Sequence, residues 1–170
     1  MILLADAEEG GLLGAEAFLR ERRKELGTAV VLNHEARGAG GAPMTFRMSS
    51  PNSELLEVLA GAPGVFADSS SEASFQALPN NTDFTPFEQA GRYGYDTAIM
   101  ADAAYYHSPL DDLAHLSAAS LQQMGDTTLA LTRAGRHGPG RDRARRGGDC
   151  NLAAVGLALV SAEPRDSARD

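Results

Sequence analysis

The sequence predicts an α/β sandwich. Short continuous apolar runs alternate along the chain with segments whose apolar positions recur at helical spacing. With 43% hydrophobic residues in 170, the chain can bury one core of single-domain size. The acidic clusters also fall directly after apolar runs, where an α/β sheet presents functional groups at its strand ends.

The elements follow in order. Met1 to Ala5 reads as a short strand with no charged leader before it, so earlier strands of the same sheet are expected to precede Met1 in a longer parent, of which this is an N-terminally truncated piece. Leu12, Leu13, Phe18 and Leu19 share a helical face, Arg20, Arg22, Arg23 and Lys24 gather where cations suit the helix C-terminus, and Gly27 stops the helix. Ala29 to Leu32 is a buried strand feeding a Gly-rich turn from Gly38 to Gly41. Met44 to Met48 is a further strand, Ser53 to Ala60 a helix capped by Asn52 or Ser53, and Tyr95 to Met100 another strand. A long amphipathic helix runs from Leu116 to Arg133, with Ser117 as N-cap and Gly135 as stop. Composition breaks near Arg136, dividing a domain over residues 1–135 from an Arg/Gly/Pro-rich linker and disordered tail over 136–170. Leu152 to Val160 is apolar but far short of the roughly 20 residues that cross a bilayer.

Charge narrows the partners. A formal net charge of -8, from 23 acidic and 15 basic side chains, excludes a general phosphate-backbone binder, so nucleic acid is not an expected partner. Cys150 is the single cysteine, which rules out an internal disulfide and any Cys-rich zinc cluster and leaves His and carboxylates as metal ligands.

Candidate chemistry sits in three places. Glu8 and Glu9 follow the first strand; adjacent carboxylates there point in different directions, so one can bind a metal while the other takes a proton from water. The alternative is plain stabilisation of a helix N-terminus by negative charge. Glu35 follows the next strand, which would put it near Glu8 and Glu9 if the strands are neighbours; Arg37 is then a candidate counter-charge, competing with metal ligation, and His34 faces away. The third is the loop Tyr105-Tyr-His-Ser-Pro-Leu-Asp-Asp112, where His107 suits zinc, Tyr106 suits a developing oxyanion, and Asp111 or Asp112 orients the loop or starts the next helix. A loop histidine also serves as an ordinary surface residue.

Glu8-Glu9-Gly-Gly-Leu-Leu-Gly14, Asn33-His-Glu35-Ala-Arg37-Gly-Ala-Gly-Gly41, Asn80-Asn-Thr-Asp83-Phe-Thr-Pro-Phe87 and the Tyr105–Asp112 segment resemble, in order, the co-catalytic zinc exopeptidases. The Glu-Ala-Arg-Gly segment is most similar to the vacuolar membrane protease and endoplasmic reticulum metallopeptidase branch. The resemblance covers Leu3 to Arg133 and implies a three-layer α/β/α sandwich with a mixed, mostly parallel sheet, the phosphorylase/hydrolase-like zinc-peptidase fold, incomplete at its N-terminus. It further implies Glu8 as general base, Glu9 and His107 on one zinc ion, Glu35 on a second, Tyr106 stabilising the tetrahedral intermediate and Asp83 in a supporting role. The implied activity is aminopeptidase cleavage at peptide or protein N-termini. A family His ligand and a bridging Asp lie upstream of the Glu-Glu motif and would precede Met1, so the resemblance implies impaired metal binding and an exposed apolar sheet edge here. It also implies a parent that is membrane-anchored or exported, with this chain a soluble domain of it. Two other classes stay open: an inactive peptidase-like protein-binding module, and a glutaminyl-cyclase-like transferase, whose tryptophan-rich pocket this tryptophan-free sequence lacks. Manganese or cobalt also suits such a ligand set.

Overall fold

The computed structural model describes residues 1–27, 29–137 and 153–155, with side chains as far as Gly135. In chain order the elements are β1 (Ile2–Leu3), α1 (Leu13–Arg22) with a 3-10 turn (Arg23–Leu26), β2 (Val30–Ala36), β3 (Met44–Met48), α2 (Ser53–Ala60), β4 (Phe66–Ala67), α3 (Ser69–Ala77), α4 (Phe84–Gln89), β5 (Tyr93–Ile99), α5 (Ala118–His137) and β6 (Ala153–Val155). The six strands form one sheet in the order β1-β6-β2-β5-β3-β4. Only β3 runs against its neighbour β5; the other pairs are parallel.

Strand periodicity separates the two helical layers. Val31 and Leu32 are consecutive on β2 and both fully buried, so their side chains must enter opposite faces. Val31 joins Ala15, Phe18, Leu19 and Leu26 of the first helical segment and Phe84 and Phe87 of α4. Leu32 joins Leu59 of α2, Tyr95 of β5 and Leu131 of α5. The sheet therefore lies between an α1/α4 layer and an α2/α5 layer, the expected three-layer arrangement.

The central ladder is tight. A Cβ at Gly94 would collide with the Val31 carbonyl oxygen, so only glycine lets β5 approach β2 there. Along β3 the register shifts between Thr45 and Arg47: Thr45 pairs with Thr97 and Arg47 with Asp96, leaving Phe46 as the extra residue of a bulge.

Several elements depart from expectation. β2 extends to Ala36, because the ladder with β5 continues through Glu35↔Ala98 and Ala36↔Ile99; Glu35 is thus part of the strand and not beyond it. β1 and β2 are not neighbours, since β6 pairs with both. That strand falls within the expected tail; the rest of 138–170 lies outside the described residues. α5 runs past Gly135 to His137, and neither Asn52 nor Ser53 caps α2 through a side chain. Ser117 does accept from the Ser120 N–H at 3.2 Å at the start of α5. The short helices α3 and α4 and strand β4 carry too few periodic apolar positions to be seen in the sequence. No helix among the described residues is long and apolar enough to cross a membrane.

His34 projects from β2 toward α5, where its Nε2 meets Thr128 Oγ1 at 2.9 Å, while its Nδ1 is buried without a partner. Burial pushes its pKa from 6.5 down to about 4, so the folded protein keeps the ring neutral. Because the unfolded chain binds the proton first, stability falls as pH drops from about 6.5 toward 4. His34→Gln should remove on the order of 2–3 kcal/mol of that acid loss. Urea denaturation of both proteins at pH 7 and pH 4 measures it; an unchanged difference would refute the assignment.

Candidate active site

The first acidic group stands on a strained turn. After β1, Ala7 and Leu12 take left-handed φ values of 60° and 62°, a conformation costing non-glycine residues about 1–3 kcal/mol and concentrated at functional sites. The turn is held by N–H donation from Gly11 and Leu12 to the Glu8 carbonyl at 3.0 and 2.9 Å, and from Gly14 to the Asp6 carbonyl at 3.1 Å. It leaves Glu8 half-buried beside an exposed Glu9.

The segment Ala101 to Ser117 supplies the second wall. It has no regular helix or strand but is tied at both ends, by two backbone hydrogen bonds between Gly40 and Ala101 and by the Ser117 N–H donating to the Ala39 carbonyl at 2.7 Å. Within it His115 lies against Tyr105, with ring centroids 4.8 Å apart, and its Nδ1 is 2.7 Å from Asp112 Oδ1. Asp112 therefore orders the loop, accepting also from the Ala114 and His115 N–H groups, and does not start α5. His107 has a left-handed φ of 54°, and its Nε2 meets Glu9 Oε1 at 2.6 Å across 98 residues of chain. Tyr106 stacks on the His107 ring, with centroids 3.8 Å apart and planes inclined at 21°.

Glu35 is set from below. Asn33, fully buried on β2, directs its Nδ2 group to Glu35 Oε1 at 2.8 Å and to Asp96 Oδ1 at 2.9 Å. Asp96, also fully buried, accepts through Oδ2 from Arg47 at 2.9 Å and from the Thr82 hydroxyl at 2.6 Å. Arg47 is packed between the rings of Phe75 and Phe84, 4.8 and 4.9 Å from their centroids. Asn33 and Thr82 stood in quoted motifs without a role, and Asp96 and Arg47 did not stand out; a signal existed in Asn33 and Asp96, polar residues inside otherwise apolar strands.

These acids share one region and raise one another. Burial, then the charge of Glu9 and more weakly of Asp83 and Asp96, lifts Glu8 to about 7, with His107 opposing. Burial and Asp96 lift Glu35 to about 8, against the Asn33 hydrogen bond. Asp83, buried with one carboxyl oxygen unpartnered, is lifted to about 6 by burial and by Asp96. Burial and the negative charges of Glu9 and Glu8 also raise the Tyr106 phenol. Arg37 does not neutralise the group: its guanidinium lies 5.8 Å from the Tyr106 ring centroid and joins none of the ion pairs among the described residues, correcting the expected carboxylate pairing.

Glu8, Glu9, Glu35, Tyr106 and His107 all line one open cleft of roughly 2140 Å³. Half-buried carboxylates that repel one another favour a cation, and carboxylate with imidazole is a donor set that zinc accepts. Among the described residues Glu9 and His107 are the close acid–imidazole pair of which both members line this cleft, and no group of three or more His, Cys, Asp or Glu side chains is drawn close enough to hold an ion.

The sequence model of peptidase family M28 matches residues 1–132. The chain belongs to this family. It is 38% identical over 130 residues to a vacuolar membrane protease of Lachancea thermotolerans, an alignment covering 75% of this chain and 13% of that protein. It is 30% identical over 138 residues to a Caenorhabditis elegans protein named as an endoplasmic reticulum metallopeptidase, covering 79% and 15% respectively. A Saccharomyces cerevisiae vacuolar membrane protease is 32% identical over 127 residues, or 74% and 13%. The chain thus spans a small part of the length of these M28 relatives. No solved structure matches it.

The Asp96–Arg47 pair yields a stability prediction. Arg47→Ala leaves a buried carboxylate without its counter-charge and should cost about 3–5 kcal/mol, whereas adding Asp96→Asn should recover much of that. Urea denaturation of both variants measures the coupling; equal losses would show that the charge of Asp96 is not what Arg47 answers.

Proposed function

We propose that this M28 chain contributes the catalytic cleft of a zinc-dependent aminopeptidase that hydrolyses N-terminal peptide bonds of peptides or proteins. The observation that carries the reading is the 2.6 Å approach of Glu9 Oε1 to His107 Nε2, with Glu8 adjacent to one and Tyr106 stacked on the other. Glu9 and His107 are the ligands of one zinc ion and Glu35 of a second. Zinc held there supplies a Lewis acid that polarises the scissile carbonyl and lowers the pKa of water.

The remaining roles belong to the chain. Glu8, pushed up to about 7 by burial and by Glu9, is basic enough to take a proton from attacking water and acidic enough to return it to the leaving amine. Tyr106 keeps its proton, since burial and Glu9 raise its pKa, and so can donate a hydrogen bond to the oxygen that gains charge as the carbonyl becomes tetrahedral. Asn33 holds Glu35 by one N–H, fixing which oxygen faces the cleft. The names of the relatives, a vacuolar membrane protease and an endoplasmic reticulum metallopeptidase, support a peptidase belonging to a membrane-anchored parent. One observation favours a second reading, an inactive protein-binding module: the described residues gather no group of three ligands.

Zinc content by elemental analysis and hydrolysis of leucine p-nitroanilide, measured on this chain and on a longer form that includes the upstream part of the peptidase domain, separate the two readings. The peptidase reading expects bound zinc, activity abolished by a chelator, and a loss of about 100-fold or more in kcat for Glu8→Gln with zinc retained. His107→Ala should lower zinc affinity itself. A longer form that folds, holds no zinc and cleaves nothing supports the binding module.

A further inference from the structure

The cleft is acidic with one exception. Of the described residues lining it, Glu8, Glu9, Glu16, Glu35 and three aspartates carry carboxyl groups, and Arg37 alone is basic. Its position is fixed from behind, because the Arg37 N–H donates to the Ile99 carbonyl at 2.8 Å and continues the central ladder one step beyond β2. The residue itself is exposed.

An exposed arginine among so many carboxylates would ordinarily engage one. Arg37 instead lies toward the Tyr106 ring, 5.8 Å from its centroid, and among the described residues joins no ion pair. Its planar fork of donors, which matches a carboxylate bidentately, is thus unclaimed by any described acid. Among the side chains of the described lining, Arg37 alone carries a permanent positive charge, and it stands beside the phenol.

We propose that Arg37 binds a carboxylate carried by the residue that follows the scissile bond, making the cleft selective for dipeptides with a free C-terminus or for an acidic side chain at that position. The inference rests on the peptidase reading, in which Tyr106 faces the scissile carbonyl. The terminal carboxylate carbon of a dipeptide is three bonds from that carbonyl carbon, about 4 Å in an extended chain, so a carboxylate held by Arg37 belongs to the residue next to the carbonyl that Tyr106 faces. Arg37 also opposes the upward shift of the Tyr106 phenol, which places the cation within electrostatic reach of the hydroxyl-bearing ring.

The test uses the full chain carrying Glu8→Gln, which suppresses turnover, in zinc-containing buffer. Dissociation constants for Leu-Gly, Leu-Gly-amide and Leu-Asp-amide are measured by calorimetric titration, then repeated with Arg37→Met and Arg37→Lys added. Leu-Gly should bind about tenfold more tightly than Leu-Gly-amide, with the ratio near one in Arg37→Met and intermediate in Arg37→Lys. Preference for Leu-Asp-amide over Leu-Gly-amide, also lost in Arg37→Met, would identify the side chain as the carboxylate source. Equal affinity for all three peptides, or a preference surviving Arg37→Met, overturns the proposal while leaving the peptidase reading intact. Binding of none of them overturns it too, and leucine p-nitroanilide hydrolysis by the unsubstituted chain then shows independently whether the peptidase reading also falls.

Discussion

A single buried carboxylate organises the middle of this fold. Asp96 sits on the strand at the centre of the described ladder, fully enclosed, and a group of that kind is tolerated only when its lone pairs are met. Meeting them recruits Arg47 from one neighbouring strand, Asn33 from the other and Thr82 from the segment before α4. The requirement propagates upward, because the same Asn33 amide group that answers Asp96 also orients Glu35 at the cleft floor. The alignment of β2, β3 and β5 and the aim of a candidate ligand are thus consequences of one desolvated charge.

Above that floor the electrostatics run one way. Glu8, Glu35 and Asp83 are each pushed up first by burial and then by a neighbouring carboxylate, Glu9 for Glu8 and Asp96 for the other two, so these acids hold their protons more firmly than free carboxyls and the protein leaves their ionised forms largely unanswered. Such an arrangement costs folding free energy and persists where a ligand of opposite charge is meant to offset it. The backbone shows the same allocation, since left-handed residues occur at Ala7 and Leu12 around the first acids and at His107 opposite them.

Much of this was legible in the sequence, and the reasons for the rest are specific. Ala29 to Leu32 announced a strand because consecutive apolar residues need cover on both faces, but its end was misplaced: Asn33, His34 and Glu35 look like loop residues until cross-strand partners for each are known. Glu8, Glu9, Glu35, Tyr106 and His107 were identifiable from local motifs, and the structure brings all five to one cleft. Arg37 was left open as a counter-charge because it stands two residues from Glu35, on the same side of an extended chain; the structure turns its guanidinium toward the Tyr106 ring instead, 5.8 Å from the centroid. The Asp96 network was invisible because its members are 14 to 63 residues apart and become partners only when three strands assemble.

The bulge at Phe46 has a bearing on how this segment can vary. Phe46 stands unpaired between Thr45, opposite Thr97, and Arg47, opposite Asp96, so the hydroxyl pair at 3.0 Å and the buried ion pair flank the extra residue on its two sides. Removing Phe46 alone would keep both pairings in an unbroken ladder, whereas removing Thr45 or Arg47 would take away one of them. Within β3 a change of length is therefore compatible with the buried network at Phe46 and not at the two paired residues that flank it.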